Sequence, residues 1–145
     1  MEDFVIIDNK TRIKIIFKVI EAKDLVDSSK AYLSIPQLQE GLMNLPQKLN
    51  QTKHSDETLN PLWNESFILE FYPEECTKFK IEVYNYSSIG KDKLIGSGNV
   101  PLDWIKKSGK NFYDEWIDLY RDKLNEKTKE KKITYQGSVH VKIKF

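Results

Sequence analysis

Cysteine is nearly absent from this chain: Cys76 stands alone among 145 residues. One thiol cannot close an internal disulfide, so the fold must rest on its own core, and a reducing, cytoplasmic setting is the expected one. Histidine is scarce too. His54 and His140 lie far apart and neither has a metal-spaced companion, which argues against a zinc centre. Net charge is also missing, since 23 Lys and Arg against 22 Asp and Glu leave +1. That balance speaks against a dedicated nucleic-acid binder, which needs a basic surplus. No apolar run approaches the ~20 residues of a membrane span. The acidic opening MEDFVIIDNK lacks the basic start and long apolar stretch of a signal peptide. The Asn-x-Ser/Thr triplets at Asn9, Asn50, Asn64 and Asn85 therefore read as accidents of composition rather than glycan sites.

What is present is enough for a core. Hydrophobic residues make up 39% and aromatic residues 12% of the chain, well outside the composition of disordered segments. The length suits one domain over residues 1–145, able to bury about two-thirds of its unfolded surface. Arg12–Ile20 (RIKIIFKVI) alternates Ile13, Ile15, Phe17 and Val19 against Arg12, Lys14, Ile16 and Lys18, the period of a half-buried strand. Ser66–Tyr72, Phe79–Tyr84 and the closing Ser138–Phe145 alternate in the same way, and Ala31–Ile35, Leu94–Leu102 and Glu115–Tyr120 are shorter candidates. Turn residues at Asn60-Pro61, Tyr72-Pro73, Ile89-Gly90, Ser108-Gly109 and Gln136-Gly137 separate them. Short strands divided by turns predict an antiparallel sandwich or barrel.

Two stretches break this rhythm. Residues 36–57 are polar, with Leu38, Leu42, Met43, Leu45 and Leu49 spaced for a short helix on a long loop. Residues 121–132 hold six basic and three acidic side chains and read as a solvated, mobile connection.

One segment is more specific. Thr58-Leu-Asn-Pro-Leu-Trp-Asn-Glu-Ser-Phe67 resembles the T-x-N-P-x-W-N-E-x-F stretch of the C2 domain family. Glu21-Ala-Lys-Asp-Leu25, the block from Val83-Tyr-Asn85 to Leu94-Ile-Gly96, and Trp116-Ile-Asp-Leu119 follow that family's order along about residues 12–145. The resemblance implies an eight-stranded antiparallel β-sandwich with three loops gathered at one end. The closing Gly137–Phe145 strand looks like the permuted, second topology, in which the last strand lies beside the first. Residues 1–8 could add a further strand.

Many family members bind calcium through carboxylates in the first and third loops, because a hard cation needs six to eight oxygens. Here Asp27 stands at one ligand position, but Lys30 replaces the next, Asn85 and Ser87 occupy the paired positions, and Lys93 precedes the Ile-Gly step. Asp92 is displaced by one residue. The resemblance therefore implies a degenerate site with no calcium, no other metal and no cofactor.

An enzyme is not expected. Cys76 sits beside Glu74 and Glu75, which would raise its pKa. Gly96-Ser97-Gly98 lacks the Lys-Ser/Thr or third glycine of a phosphate loop. Binding is the better reading. In the permuted topology, outward Arg12, Lys14, Lys18, His140, Lys142 and Lys144 converge on one face suited to anionic lipid headgroups. At the loop tip, Tyr86 and Ile89 with Lys30, Lys91 and Lys93 make a second candidate membrane contact. The expected function is a monomeric, calcium-independent docking module for anionic membrane surfaces. The alternative is a protein-interaction module of a larger protein, using residues 36–57.

Overall fold

The computed structural model describes residues 13–36, 42–43, 50–72 and 76–145. Arg12 and the candidate strand of residues 1–8 lie outside these, as do Leu38, Leu45 and Leu49. The alternating runs become β1 (Ile13–Lys23), β2 (Ala31–Ser34), β3 (Leu42–Met43), β4 (Leu62–Phe71), β5 (Phe79–Asn85), β6 (Lys93–Val100), α1 (Leu102–Lys107), β7 (Phe112–Leu124) and β8 (Lys131–Lys144). They pair antiparallel in the order β2-β5-β6-β7-β8-β1-β4-β3.

The sheet curls into two layers where β6 meets β7. Those strands share one registered pair, Ser97 opposite Tyr120, and cross closely there, with Gly98 against the Asp118 carbonyl. Phe17 of β1 meets Phe79 of β5 edge to face, with ring centroids 5.1 Å apart, although three strands separate them along the sheet. Apolar faces that strands expose on one side only must cover each other. Phe17, Leu33, Phe71, Phe79, Ile81, Leu119 and Ile143 are each 1% exposed or less, and each such burial contributes on the order of 1.5–3 kcal/mol. Cys76 joins this core as a buried thiol. As the permuted topology implies, β8 lies beside β1, with Phe17 opposite Ile143 and Val19 opposite Val141.

Three elements differ from the sequence reading. The Leu94–Leu102 run ends as a strand at Val100. Leu102–Lys107 is helical, burying Leu102 and Ile105 three residues apart, with Asp103 in the first turn and Lys106 and Lys107 in the last. Leu42–Met43, read as part of a helix, instead pair with Phe71 and Glu70 of β4. Residues 121–132 are not a loose connection: β7 and β8 run paired from Leu119 opposite Gly137 out to Leu124 opposite Lys131. Asn125 closes that hairpin by accepting from the Lys127 amide at 3.0 Å, with Lys129 at φ 61°.

The Thr58–Phe67 motif is explained residue by residue. Asn60 Oδ1 accepts the Asp24 amide at 3.3 Å, Trp63 Nε1 donates to the Ala31 carbonyl at 3.0 Å, and Glu65 Oε2 accepts the Lys53 amide at 2.8 Å. Asn64 takes the left-handed conformation, φ 51°, which asparagine tolerates better than most residues. The motif thereby ties the first loop, β2 and the 50–58 segment to one end of β4. That segment runs along the outer edge of β2, with Thr52 N donating to the Leu33 carbonyl and Ile35 N to the Asn50 carbonyl, both at 2.8 Å.

Candidate functional site

The loop end is built by β1, β2, β5 and β6. The first loop follows Lys23 and the third spans residues 86–92. The two are joined where the Tyr86 amide donates to the Lys30 carbonyl at 2.9 Å and the Lys30 amide to Asn85 Oδ1 at 3.2 Å. A recess of about 360 Å³ lies between them, lined by Lys30, Glu57, Asn85, Ser87 and Ile89 among others. Asp27 is exposed, and its backbone carbonyl accepts the Ser29 hydroxyl at 2.8 Å.

Asp92 is committed elsewhere. Its Oδ2 accepts the Tyr32 hydroxyl at 2.6 Å and its Oδ1 the Ser87 amide at 2.8 Å. These donors, the phenol foremost, hold the Asp92 carboxyl below the usual carboxylate range. Burial, reinforced by the Asp92 carboxylate, pushes the Tyr32 phenol well above its ordinary value, so it remains a donor. Among the described residues no three His, Cys, Asp or Glu side chains gather where a metal ion could sit. Tyr86 stacks on His54 with centroids 4.1 Å apart, whereas Ile89 at the tip is 90% exposed.

The sheet face made by β4, β1, β8 and β7 gathers the other candidates. Lys18 lies opposite Lys142 and Ile16 opposite Lys144, so Lys14, Lys18, His140, Lys142 and Lys144 do share one face. The sequence reading overlooked the acids among them. Lys14 pairs with Glu70 at 3.3 Å, Lys142 lies 3.7 Å from Asp114, and His140 contacts the same Asp114 carboxylate. The His140 hydrogen bond holds the Asp114 carboxyl below its ordinary value. Lys18 and Lys144 have no carboxylate partner among the described residues. They flank exposed Ile16 and Phe112 around a shallow recess of about 490 Å³. At the face's other end Trp116 stacks on His140, with Lys23 Nζ 4.2 Å from its ring centroid. The pairing of Asp114 with His140 was hidden because the two residues stand 26 apart at the open end of the β7–β8 hairpin and only its register brings them together.

A family model described as C2 domain matches residues 13–119. This chain belongs to the C2 domain family. Synaptotagmin-4 of Arabidopsis thaliana is 32% identical to this C2 domain over 111 residues, which cover 75% of the chain and 19% of that protein. The chain thus spans only about 19% of the curated relatives it first matches. A C2 domain of plant Extended Synaptotagmin 1 superposes with a TM-score of 0.61 at 17% identity, over 90% of this chain and 91% of that one. The paired C2 domains of Extended-Synaptotagmin 2, solved calcium bound, give 0.63 at 23% identity over 90% and 44%. These likenesses carry the fold. In the described part of this C2 domain no helix is long and apolar enough to cross a membrane, which says nothing of strands.

Proposed function

We propose that this C2 domain is a non-enzymatic module that docks on anionic phospholipid surfaces without calcium, at the cytoplasmic periphery of a membrane. The observation that carries the reading is the state of the loop end. Lys30, Asn85, Ser87 and Lys93 stand where the family's calcium carboxylates would, and the neighbouring carboxylate of Asp92 is already satisfied by Tyr32 and Ser87. A calcium ion asks for several anionic oxygens, so these residues do not fit it. What they offer instead is Ile89, exposed at the tip, among Lys30, Lys91 and Lys93. An exposed apolar side chain on a loop that also carries lysines suits the boundary between headgroup and acyl chain. Lys18 and Lys144 supply a second cationic contact on the sheet face, and each basic residue near an anionic leaflet contributes about 1 kcal/mol.

Vesicle sedimentation tests this. Phosphatidylcholine vesicles with phosphatidylserine should pull down the domain, equally in calcium and in chelator, and binding should weaken as salt screens the charges. Lys18→Glu with Lys144→Glu should weaken it by at least about tenfold. Calcium dependence, or equal binding to neutral vesicles, would overturn the reading.

A second reading has one observation in its favour. Carboxylates offset three of the five described basic groups on the sheet face, and Ile16, Ile68 and Phe112 are exposed there. A mixed apolar and charge-paired surface is the composition of a protein interface. Failure to bind any anionic vesicle would favour this protein-docking role.

A further inference from the structure

The outer half of the β7–β8 hairpin carries side chains that neither the core nor the loop end uses. β1 pairs with β8 only over Ser138–Lys144, and β6 meets β7 in register only at Tyr120. Beyond those points the hairpin is a two-stranded arm, pairing Tyr120 with Tyr135, Arg121 with Thr134, Asp122 with Ile133, Lys123 with Lys132 and Leu124 with Lys131. Directly opposed residues share a face of an antiparallel ribbon. One face therefore presents Tyr120, Leu124, Ile133 and Tyr135, together with Asp122 and Lys131. The other presents Arg121, Lys123, Thr134 and Lys132.

The domain covers little of either face, although the Tyr120 and Tyr135 rings pack edge to face, the Tyr135 hydroxyl is hydrogen-bonded with Ser138 Oγ, and Thr134 Oγ1 donates to the Arg121 carbonyl. Tyr120 and Tyr135 are each 45% exposed, Leu124 56% and Ile133 67%, so the apolar face buries little against its own fold. On the opposite face Lys123 stands directly across from Lys132, a like-charge pair that disfavours the ribbon in isolation. None of Arg121, Lys123 and Lys132 has an ion-pair partner among the described residues. Two-stranded ribbons are marginal in water, and this one keeps its pairing through 13- and 14-residue strands.

The arm leaves from the loop end. A Cβ on Gly137, at the arm's root, would meet the Lys23 carbonyl at 2.7 Å and Leu25 at 3.0 Å, where the first loop begins. The Ser97–Tyr120 register puts the start of β6, and with it the third loop, at the same end as Leu124. Ile89 and Val26, 90% and 54% exposed, project from that end too.

We infer that the arm is an amphipathic β-hairpin that seats Tyr120, Leu124, Ile133 and Tyr135 at the headgroup–acyl boundary of an anionic bilayer, with Arg121, Lys123, Lys131 and Lys132 on lipid phosphates. The inference rests on the docking function proposed above and adds the element that inserts. An interfacial helix divides its apolar and basic residues in the same way, and tyrosine rings favour the headgroup level. Six basic against three acidic residues over 121–132 give the charge complementarity, and phosphates between Lys123 and Lys132 relieve their repulsion. Asp122, the one acid on the apolar face, has Lys131 as a diagonal neighbour. A bilayer accepts scattered apolar groups and cations without matched shape, which a protein partner would have to supply.

The test uses the 145-residue chain with vesicles of phosphatidylcholine, with and without phosphatidylserine. Leu124→Asp with Ile133→Asp should weaken binding to the anionic vesicles by at least about tenfold while the melting temperature stays unchanged. Separately, Leu124→Cys carries an environment-sensitive fluorophore; Cys76 is buried, so the engineered thiol is the accessible one. Its emission should shift to the blue on anionic vesicles and not on neutral ones. Should the double variant melt early, the labelled variant decides. Undiminished binding of the double variant, or a label that stays in water while the parent chain binds, overturns the inserted arm and leaves the docking function standing. If the parent chain binds no anionic vesicle, both fall, and the arm is then left for a protein partner.

Discussion

The Tyr32 hydroxyl donates a 2.6 Å hydrogen bond to Asp92 Oδ2 across a sequence separation of 60 residues, joining β2 to the third loop. With the Ser87 amide on the other carboxylate oxygen, Asp92 serves as a staple that holds the loop's shape. Both Asp92 oxygens thus bind the protein's own donors.

Tyr32→Phe should therefore loosen residues 86–92 without unfolding the domain. The Ser87 amide, left with a less restrained acceptor, should exchange with solvent faster, while the amides of β1 and β8 keep their protection. Amide hydrogen exchange read by NMR separates the two regions. Unchanged exchange at Ser87 would show that the loop does not depend on the staple.

Asp114 predicts a pH effect whose sign follows from its partners. The His140 hydrogen bond is the main cause lowering its pKa in the folded state, and Lys142 adds to it. A carboxyl whose folded value lies below its unfolded value, ordinarily near ~3.9, adds stability that is fully present above that value. The contribution disappears as pH falls through the folded value. Because the Asp114 side chain is 46% exposed, solvent screening keeps it within about 1 kcal/mol. Asp114→Asn should flatten the acid limb of a melting-temperature profile below about pH 4. His140→Gln should bring the Asp114 carboxyl titration, followed by NMR, back toward its ordinary value.

Gly98 and Gly137 fill positions that a side chain cannot. A Cβ at Gly98 would stand 2.5 Å from the Asp118 carbonyl and 2.8 Å from Ile117 Cγ2, at the seam where β6 crosses to β7. Gly137 combines φ +123° with the Lys23 carbonyl at 2.7 Å. Alanine at either position should destabilise the fold by about 1–3 kcal/mol through overpacking, visible as a fall of several degrees in melting temperature. Gly109→Ala, where nothing lies within 4 Å and φ is +73°, should cost less. Equal effects at Gly137 and Gly109 would mean that backbone conformation, rather than the close approach to Lys23, sets the cost at Gly137.

Period-two alternation located β1, β4, β5 and the end of β8, because an apolar side chain every second residue can only serve a strand with one buried face. The same logic stopped short at residues 121–132. There Leu124 is the one apolar residue and no side is buried, so the composition resembles that of a loop although residues 121–124 are paired with 131–134. The short helix Leu102–Lys107 was lost for a different reason: two buried residues, Leu102 and Ile105, are too few to distinguish a helical period from the end of a strand.

Residue types alone pointed to the family, through the Asn60, Trp63 and Glu65 motif, and put Lys30, Asn85, Ser87 and Lys93 at the positions on which the proposed calcium independence rests. They also determined that Lys14, Lys18, Lys142 and Lys144 would face outward, because alternation assigns each to the side opposite the core. Which of those charges are free was decided by the tertiary structure. Strand register sets Asp114 beside His140 and Lys142, and Glu70 beside Lys14, while leaving Lys18, Lys144 and the Lys123–Lys132 pair without acids among the described residues. Coulomb energy depends on distance, and the distances between residues remote in sequence exist only once the strands have paired.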